Sequence, residues 1–431
     1  MPDEVTALAE IRLWGGPVGA VAELEGGRIV FEYDERFPPR ALEISPVHLP
    51  LARRGPIAFD ELRRLPAFDG LPGVLADALP DAFGNQVIRA WFAARGEEQR
   101  ALSPVQRLLY VGERALGALT FHPAAAIPRR PAEQESLDVA ALVRDARRIL
   151  AGEAEVAVPE IYRIGSSAGG MRPKAVVLWN PAARTIRSAF AVPEPGDVPC
   201  LLKFDGVGND ATSEKLGEPR PWNRVEAAYS RMARAAGIDA SHIELLESAD
   251  GHAHLLIRRF DVEGEARLHQ HTLGGLLHVD YNDPGASSYE EYLRAVLRLG
   301  MAQAAVEQGY RRMAFNVMAV NQDDHVKNLS FHLRPDGRWS LAPAYDITFA
   351  MGGQWTAQHQ MRVGDKRAGI TRADLLGVAH TFAIRSPERI LDEVDAAVAG
   401  WPAAARETGV PAADAVRISA VLEARRRELG R

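Results

Sequence analysis

Apolar and polar positions alternate with a period of two in two short stretches near the start of the chain, "AVAEL" and "RIVFEY". They are separated by "EGG" and followed by "DERFPP". The pattern predicts a small antiparallel sheet with tight turns across residues 9–49. The period then lengthens. "LPGVLADALPDAFGNQVIRAWFAARG" predicts proline-opened helix, with "DALPDAFGN" as a polar turn between two helical pieces, and "SPVQRLLYVGERALGALTF" has helical spacing in its first half. Residues 122–136, "HPAAAIPRRPAEQES", lose the apolar period, carry three prolines and read as an interdomain linker.

Beyond the linker, "SLDVAALVRDARRILAG" predicts a helix, "AVVLWN" and "VPCLLKF" strands, and "PWNRVEAAYSRMARAAG" an amphipathic helix. "HIELLES" and "HAHLLIRRF" predict two strands across an "ADG" turn. The remainder is mainly helical, broken by the octapeptide "NQDDHVKN" (321–328) and by a hairpin, "NLSFHL-RPDGR-WSLAP". The basic end, "RISAVLEARRRELGR", reads as a solvated final helix.

Composition narrows the class. The chain has 431 residues, 47% hydrophobic and 25% charged, enough for a sizeable core and two or three domains of ordinary size. A net charge of −6 argues against wholesale nucleic-acid binding by the chain itself. Cys200 is the single cysteine, so neither an internal disulfide nor a multi-cysteine metal site can form. No stretch approaches the ~18 uninterrupted apolar residues of a membrane span. No membrane association and a cytoplasmic location are expected.

The octapeptide sits between two apolar runs, "RMAFNVMAV" and "LSFHL", and concentrates the candidate chemistry. Asp323 and Asn328 have the Asp-x4-Asn spacing of a kinase catalytic loop, in which a carboxylate accepts the substrate hydroxyl proton and an amide oxygen holds Mg²⁺ on the nucleotide. Lys327 would neutralise the transferred phosphoryl group. Asp324 reads as a loop carboxylate without a further role. Asp346 follows the hairpin in "APAYDIT", placed for a second metal-binding aspartate. Upstream, "RIGSSAGGMRPKAVV" sets Ser166, Ser167, Gly169 and Gly170 before a strand, where backbone amides and hydroxyls can converge on a phosphate. Taken alone, such a stretch is usually only a turn. Lys203 is a lone ammonium in an apolar strand, where alternation would ordinarily point it to solvent, and Glu226 lies within a helix, ordinarily on a solvated face. A Lys–Glu pair would link strand to helix. The order of these features is that of a protein-kinase-like fold.

On "GSSAGGMRPKA", "LLKF", "NRVEAAYSRMARAAGI", "IRRFD", "DDHVKN", "LAPAYDIT" and "LPGVLADALPDAFGN", the chain resembles the HipA-family toxin kinases, the kinase half of bacterial type II toxin–antitoxin pairs. The resemblance implies an α+β, two-lobed kinase-like fold with a mostly helical C-lobe and a small N-terminal strand and helix subdomain. The corresponding expected divisions are 1–125, a linker at 126–136, an N-lobe at 137–262 and a C-lobe at 263–431. It further implies ATP and Mg²⁺ as cofactors, Ser/Thr phosphorylation of protein targets such as an aminoacyl-tRNA synthetase, and autophosphorylation at Ser166 or Ser167. A HipB-like helix-turn-helix antitoxin would be the partner and would carry the contact with operator DNA. Lys203 would hold phosphates, Asp323 act as base, and Asn328 and Asp346 bind Mg²⁺. The adenine would lie against the hinge of Arg258, Arg259, Phe260 and Asp261, with Glu226 and His325 also in the nucleotide site. The chain departs from the family at Asp324, where a small residue is usual, and at Arg258, where an acidic one is.

Two other readings compete. Asp323-x-His325-x-x-Asn328 also matches the loop of aminoglycoside and choline kinases, and a catalytically silent corepressor would keep only the antitoxin contact. His252, His254, His269 and His271 form two His-x-His pairs that read as surface histidines rather than metal ligands. The tryptophans read as core or interface residues.

Overall fold

The computed structural model of the chain describes residues 4–37, 42–96, 102–125, 136–153, 156, 161–165, 172–207, 220–264 and 266–430. The backbone divides into two units. The first comprises Met1–Ile44, Leu49–Arg220 and Leu246–His269, and the second Ser45–His48, Pro221–Leu245 and Gln270–Arg431.

In the first unit the alternating stretches form the predicted sheet. β1 (Val5–Leu13) pairs antiparallel with β2 (Gly16–Leu24), which pairs with β3 (Ile29–Tyr33), while β4 (Leu119–His122) lies on the other side of β1. Ala9, Ile11 and Leu13 are buried on one face, as a period of two requires. Gly19 cannot carry a side chain, because a Cβ there would lie 2.2 Å from the Glu32 carbonyl oxygen across the ladder. The sheet ends at Tyr33, earlier than the predicted limit of residue 49. Residues 45–48 instead belong to the second unit, where Ser45 Oγ pairs with His271 Nε2 at 3.0 Å.

The proline-opened helix is two pieces, α1 (Gly73–Ala76) and α2 (Ala82–Ala93). Asp81 caps α2, its Oδ1 accepting from Gly84 N at 2.6 Å, so the turn ends at that aspartate and "AFGN" already belongs to the helix. α3 (Pro104–Val111) opens on a capping box between Ser103 and Gln106. α4 (Val139–Leu150) and the short α5 (Ile161–Ile164) precede a sheet of order β6-β5-β7-β9-β8. Its strands are β5 (Lys174–Asn180), β6 (Thr185–Ser188), β7 (Val198–Lys203), β8 (Ile243–Glu247) and β9 (Ala253–Arg258), and the division between the units falls within β8. Phe83, Val87, Leu142, Val176 and Leu202 belong to one core, so α2 and α4 pack with this sheet instead of forming a separate N-terminal body. The hairpin of β10 (Val262–Glu263) and β11 (Ala266–Arg267) follows. Residues 126–135 of the expected linker lie outside the described residues.

The second unit is mainly helical, as the apolar pattern predicts. α6 (Trp222–Ala235), α7 (Leu273–Leu277), α8 (Tyr289–Arg298), α9 (Gln303–Met318), α10 (Arg372–Thr381), α11 (Pro387–Ala399), α12 (Trp401–Glu407) and α13 (Ala412–Glu428) surround one core that includes Tyr229, Tyr292, Phe315 and Trp401. β12 (His269–Thr272) joins the predicted hairpin, β13 (Ser330–Leu333) and β14 (Trp339–Leu341), in a three-stranded sheet. The chain thus passes between the units after residues 220, 245 and 269 as well as around 45–48, so that α6 joins the second unit and the last crossing falls at His269 where 262 was expected.

Several expectations about exposure are overturned. His252, His254, His269 and His271 are all buried, and not on the surface. Each faces hydrogen-bonding or ionic partners, as a buried imidazole must: His254 Nδ1 accepts from Asp205 N at 3.0 Å, and His269 Nε2 pairs with Ile44 O at 2.9 Å. Lys203 and Glu226 are buried as well, at 5% and 4% exposure, so neither occupies the solvated position that strand or helix alternation predicts. The last helix is not simply solvated. Arg425 donates to Val317 O and Ile370 O, and Arg426 makes a bidentate pair with Asp395, so the basic end is knitted to the unit. Trp91, Trp179 and Trp401 are core residues, as expected.

Candidate active site

The polar octapeptide is fastened at both ends by ordinary packing. α9 is buried along most of its length and ends at Met318; two residues on, Val320 has a left-handed φ of 54°. A β-branched residue is strained there, by roughly 1–3 kcal/mol, so the surrounding bonds must over-determine the turn. They do: Asn321 N donates to Asn316 O, Gln322 N to Ala350 O, and Ala350 N to Val320 O. At the other end Val326 and Leu329 enter the core. Val326 opens a short 3-10 turn, Val326–Asn328, against α7. A Cβ on Gly274 would come within 2.9 Å of Val326 Cγ2, so glycine permits that approach. Leu273 N donates to Leu329 O at 2.7 Å.

Within this frame the two adjacent aspartates face different surroundings. Asp324 is buried at 2% exposure and accepts three bonds: from Tyr289 OH at 2.8 Å, from Gln360 N at 2.7 Å, and a contact with His359 Nδ1 at 2.9 Å. Asn316 Nδ2 supports the Tyr289 hydroxyl, and Asn321 Nδ2 in turn supports Asn316. Burial by itself would raise the Asp324 carboxyl, but His359, Tyr289 and Gln360 outweigh it and hold it below the usual carboxylate range. Asp324 is thus a clasp, and not the dispensable loop carboxylate the sequence predicts.

Asp323 keeps 38% of its side chain exposed. Its backbone carbonyl accepts from Asn328 Nδ2 at 2.9 Å, which closes the Asp-x4-Asn loop on itself. Its Oδ1 accepts from Trp355 Nε1 at 2.7 Å, and His325 Nε2 stands 3.9 Å from the same oxygen. Burial raises its carboxyl above the ordinary value, and the charges of Asp346 and Asp324 add to that, against the opposing pull of His325 and Trp355. Burial lowers the His325 imidazole, against the opposing charges of Asp323 and Asp346. Its Nδ1 is buried with no hydrogen-bond partner among the described residues.

Lys327 sets its ammonium 4.7 Å from the centre of the Tyr281 ring, which also lies 5.6 Å from the His325 ring. Tyr345 OH bonds the Lys327 carbonyl and Ser330 Oγ, both at 2.5 Å, and so ties the hairpin back to the loop. The next residue, Asp346, has a left-handed φ of 51°. Among the described residues no group of three His, Cys, Asp or Glu side chains is arranged to hold a metal. Asn328 and Asp346 nevertheless suit magnesium. The Asn328 amide nitrogen is engaged by Asp323 O, which leaves its oxygen as the ligand atom, and Asp346 adds a carboxylate. Magnesium is typically held by one or two carboxylates with the remaining positions filled by water and substrate phosphate.

Of the other expected site residues, Lys203, Arg258, Arg259 and Phe260 lie in the first unit. Lys203, at the end of β7, pairs in register with Lys174 of β5, and both are buried. The antiparallel register, which sequence spacing does not reveal, is what sets Lys203 opposite Lys174. Its Nζ lies 3.8 Å from Asp81 Oδ2. Arg258 is exposed at the end of β9, and Arg259 makes a bidentate pair with Asp261, which also accepts from Gly117 N at 2.8 Å. Burial would raise the Asp261 carboxyl, but Arg259 outweighs it, so the pair is a brace of the first unit. Phe260 lies between them, half-buried. Ser166, Ser167, Gly169 and Gly170 lie outside the described residues. Glu226 belongs to α6 in the second unit, with Asp323, Lys327, Asn328 and Asp346. Trp355, His359 and Tyr289 were missed by sequence reasoning, since none falls in a motif and all lie about thirty residues from the aspartates they touch.

Residues 9–122 match the HipA N-terminal domain family, and residues 166–401 match the HipA-like C-terminal domain family. A Sinorhizobium fredii protein designated a candidate kinase, Y4dM, is 25% identical over 394 residues, covering 87% of this chain and 86% of that protein. Among solved structures, the Shewanella oneidensis toxin–antitoxin complex of HipA, HipB and operator DNA contains a chain with a TM-score of 0.66. That match has 16% identity and covers 97% of this chain and 95% of the other. The N-terminal match ends at the close of β4, and the C-terminal match contains the whole Asp323–Asp346 constellation; the chain belongs to the HipA family.

Proposed function

We propose that the chain is an ATP- and Mg²⁺-dependent serine/threonine protein kinase of protein-kinase-like, two-lobed fold, acting as the toxin of a toxin–antitoxin pair. The observation that carries this reading is the loop Asp323–Asn328, closed by the Asn328 side chain on the Asp323 carbonyl and followed across a hairpin by Asp346. Phosphoryl transfer asks a protein for positioning and charge more than for covalent chemistry, and this loop supplies both. Asp323 would take the hydroxyl proton, while Asn328 and Asp346 would hold a magnesium ion that offsets phosphate charge. Lys203 would contact the phosphates. Self-phosphorylation at Ser166 or Ser167 would place about −1.5 to −2 charge in a phosphate-holding loop and switch the enzyme off. The Shewanella structure supports a HipB-like antitoxin as partner, with operator DNA engaged mainly through it. The net charge of −6 fits that division of labour. No helix among the described residues is long and apolar enough to cross a membrane.

The test is phosphoproteomics of cells after brief induction of the chain, with Asp323→Asn as control. New phosphoserine or phosphothreonine on a translation component such as an aminoacyl-tRNA synthetase, absent in the control, is the expected result. Transfer to an aminoglycoside or choline instead would move the chain to the small-molecule kinases that share Asp-x-His-x-x-Asn. No ATP turnover at all would leave only the corepressor role.

A further inference from the structure

We infer that Trp355 is the positioning residue of the catalytic carboxylate: its indole N–H fixes Asp323 Oδ1 and thereby presents Oδ2 to the incoming hydroxyl. The inference rests on the reading of Asp323 as the base.

A carboxylate on a loop turns about a broad torsion, so backbone placement alone does not decide which oxygen meets the substrate. In this chain the two parts of Asp323 are held separately. Asn328 Nδ2 holds the backbone carbonyl at 2.9 Å, and Trp355 Nε1 holds Oδ1 at 2.7 Å. An indole N–H donates only, so it never competes with the base for a proton, and a bond to a charged acceptor is of the stronger kind. His325 Nε2, at 3.9 Å from the same oxygen, is beyond hydrogen-bond reach.

Trp355 is itself held by the clasp of the neighbouring aspartate. Gln360 donates its side-chain amide to Trp355 O and its backbone N–H to Asp324 Oδ1 at 2.7 Å. One short segment, Trp355 to Gln360, therefore grips both aspartates: the buried one through backbone N–H and His359, the working one through the indole. This arrangement explains why a large ring sits half-buried beside an otherwise polar loop. Its ring supplies stiffness, and its single donor supplies direction.

The test is Trp355→Phe, which keeps a ring and deletes the donor. ADP formation from Mg·ATP is followed, whichever acceptor takes the phosphoryl group. Loss of a charge-assisted bond predicts a kcat lower by roughly tenfold to a hundredfold, with KM for Mg·ATP nearly unchanged. Because Trp355 acts through Asp323, the double variant Trp355→Phe/Asp323→Asn should be no slower than Asp323→Asn alone. Independently of turnover and of folding in the variant, the Trp355 indole N–H resonance of ¹⁵N-tryptophan-labelled protein should move on Asp323→Ala. A wild-type kcat in Trp355→Phe, losses that multiply in the double variant, or an unmoved resonance would each overturn the inference while leaving the kinase reading intact. A faster Trp355→Phe would make the indole an inhibitory cap instead. A wild-type protein that forms no ADP would remove the kinase reading itself.

Discussion

Each unit buries a polar cluster between apolar elements, and the two are built on opposite principles. In the first unit Asp205 accepts from Gly206 N at 2.7 Å, Arg220 N at 3.0 Å and Ala253 N at 2.9 Å, while its own N–H donates to His254 Nδ1. Gly206 is left-handed at φ 68°, and a Cβ there would strike His252 Nε2 at 2.5 Å, so the cluster also has no spare room. In the second unit the loop Asp323–Asn328 pins its backbone just as firmly, yet leaves 38% of the Asp323 side chain exposed and His325 Nδ1 without a hydrogen-bond partner among the described residues. Buried polarity that is satisfied internally makes structure, whereas polarity held rigid with capacity to spare makes a site. Asp323 and Asp324 repeat the contrast one residue apart.

The same substitution at these two aspartates should break the comparison if it is wrong. Asp323→Asn should lower phosphoryl transfer by ~10²–10⁴-fold, equivalent to about 3–5 kcal/mol of barrier, with an unchanged melting temperature. Single-turnover ADP formation and a thermal melt measure the two halves. Asp324→Asn should act first on stability, by about 2–4 kcal/mol, because an amide cannot accept all three of the bonds made by Tyr289, His359 and Gln360. A denaturant melt decides it. Equal stability in the two variants would mean that the clasp is no clasp.

The closed cluster predicts a pH dependence. Burial lowers the His254 imidazole to about 4, from an ordinary value of 6.5. The native state therefore stays neutral where the unfolded chain takes up a proton. The stability this contributes is fully present above pH 6.5 and is lost as pH falls toward 4. Between pH 6.5 and 5 the loss should be about 2 kcal/mol, and His254→Gln should flatten that slope. A slope equal to wild type in the variant would assign the effect to another group.

Much of this was legible in the chain, for local reasons. Apolar periodicity along α4 and α6 is carried by residues within one or two turns of each other. The Asp-x4-Asn spacing is legible because a tight loop bonds to itself over five residues. Burial of single polar side chains was not. Lys203, Glu226, His271 and Asp324 sit where local alternation predicts solvent, because their partners or covering elements come from remote sequence. The four residues Ser45–His48, which leave one unit for the other, carry no signal at all in the pattern.

Sequence alone determined the element order, the location of the candidate chemistry in 321–328 and 346, and the family resemblance, since these depend on period, spacing and short motifs. Only the tertiary structure decided which aspartate is a clasp and which remains open, and that Trp355 reaches Asp323 across 32 residues. It also decided that Lys174 stands opposite Lys203. These are matters of register and burial, and a side chain's surroundings are set by whatever part of the chain folds against it.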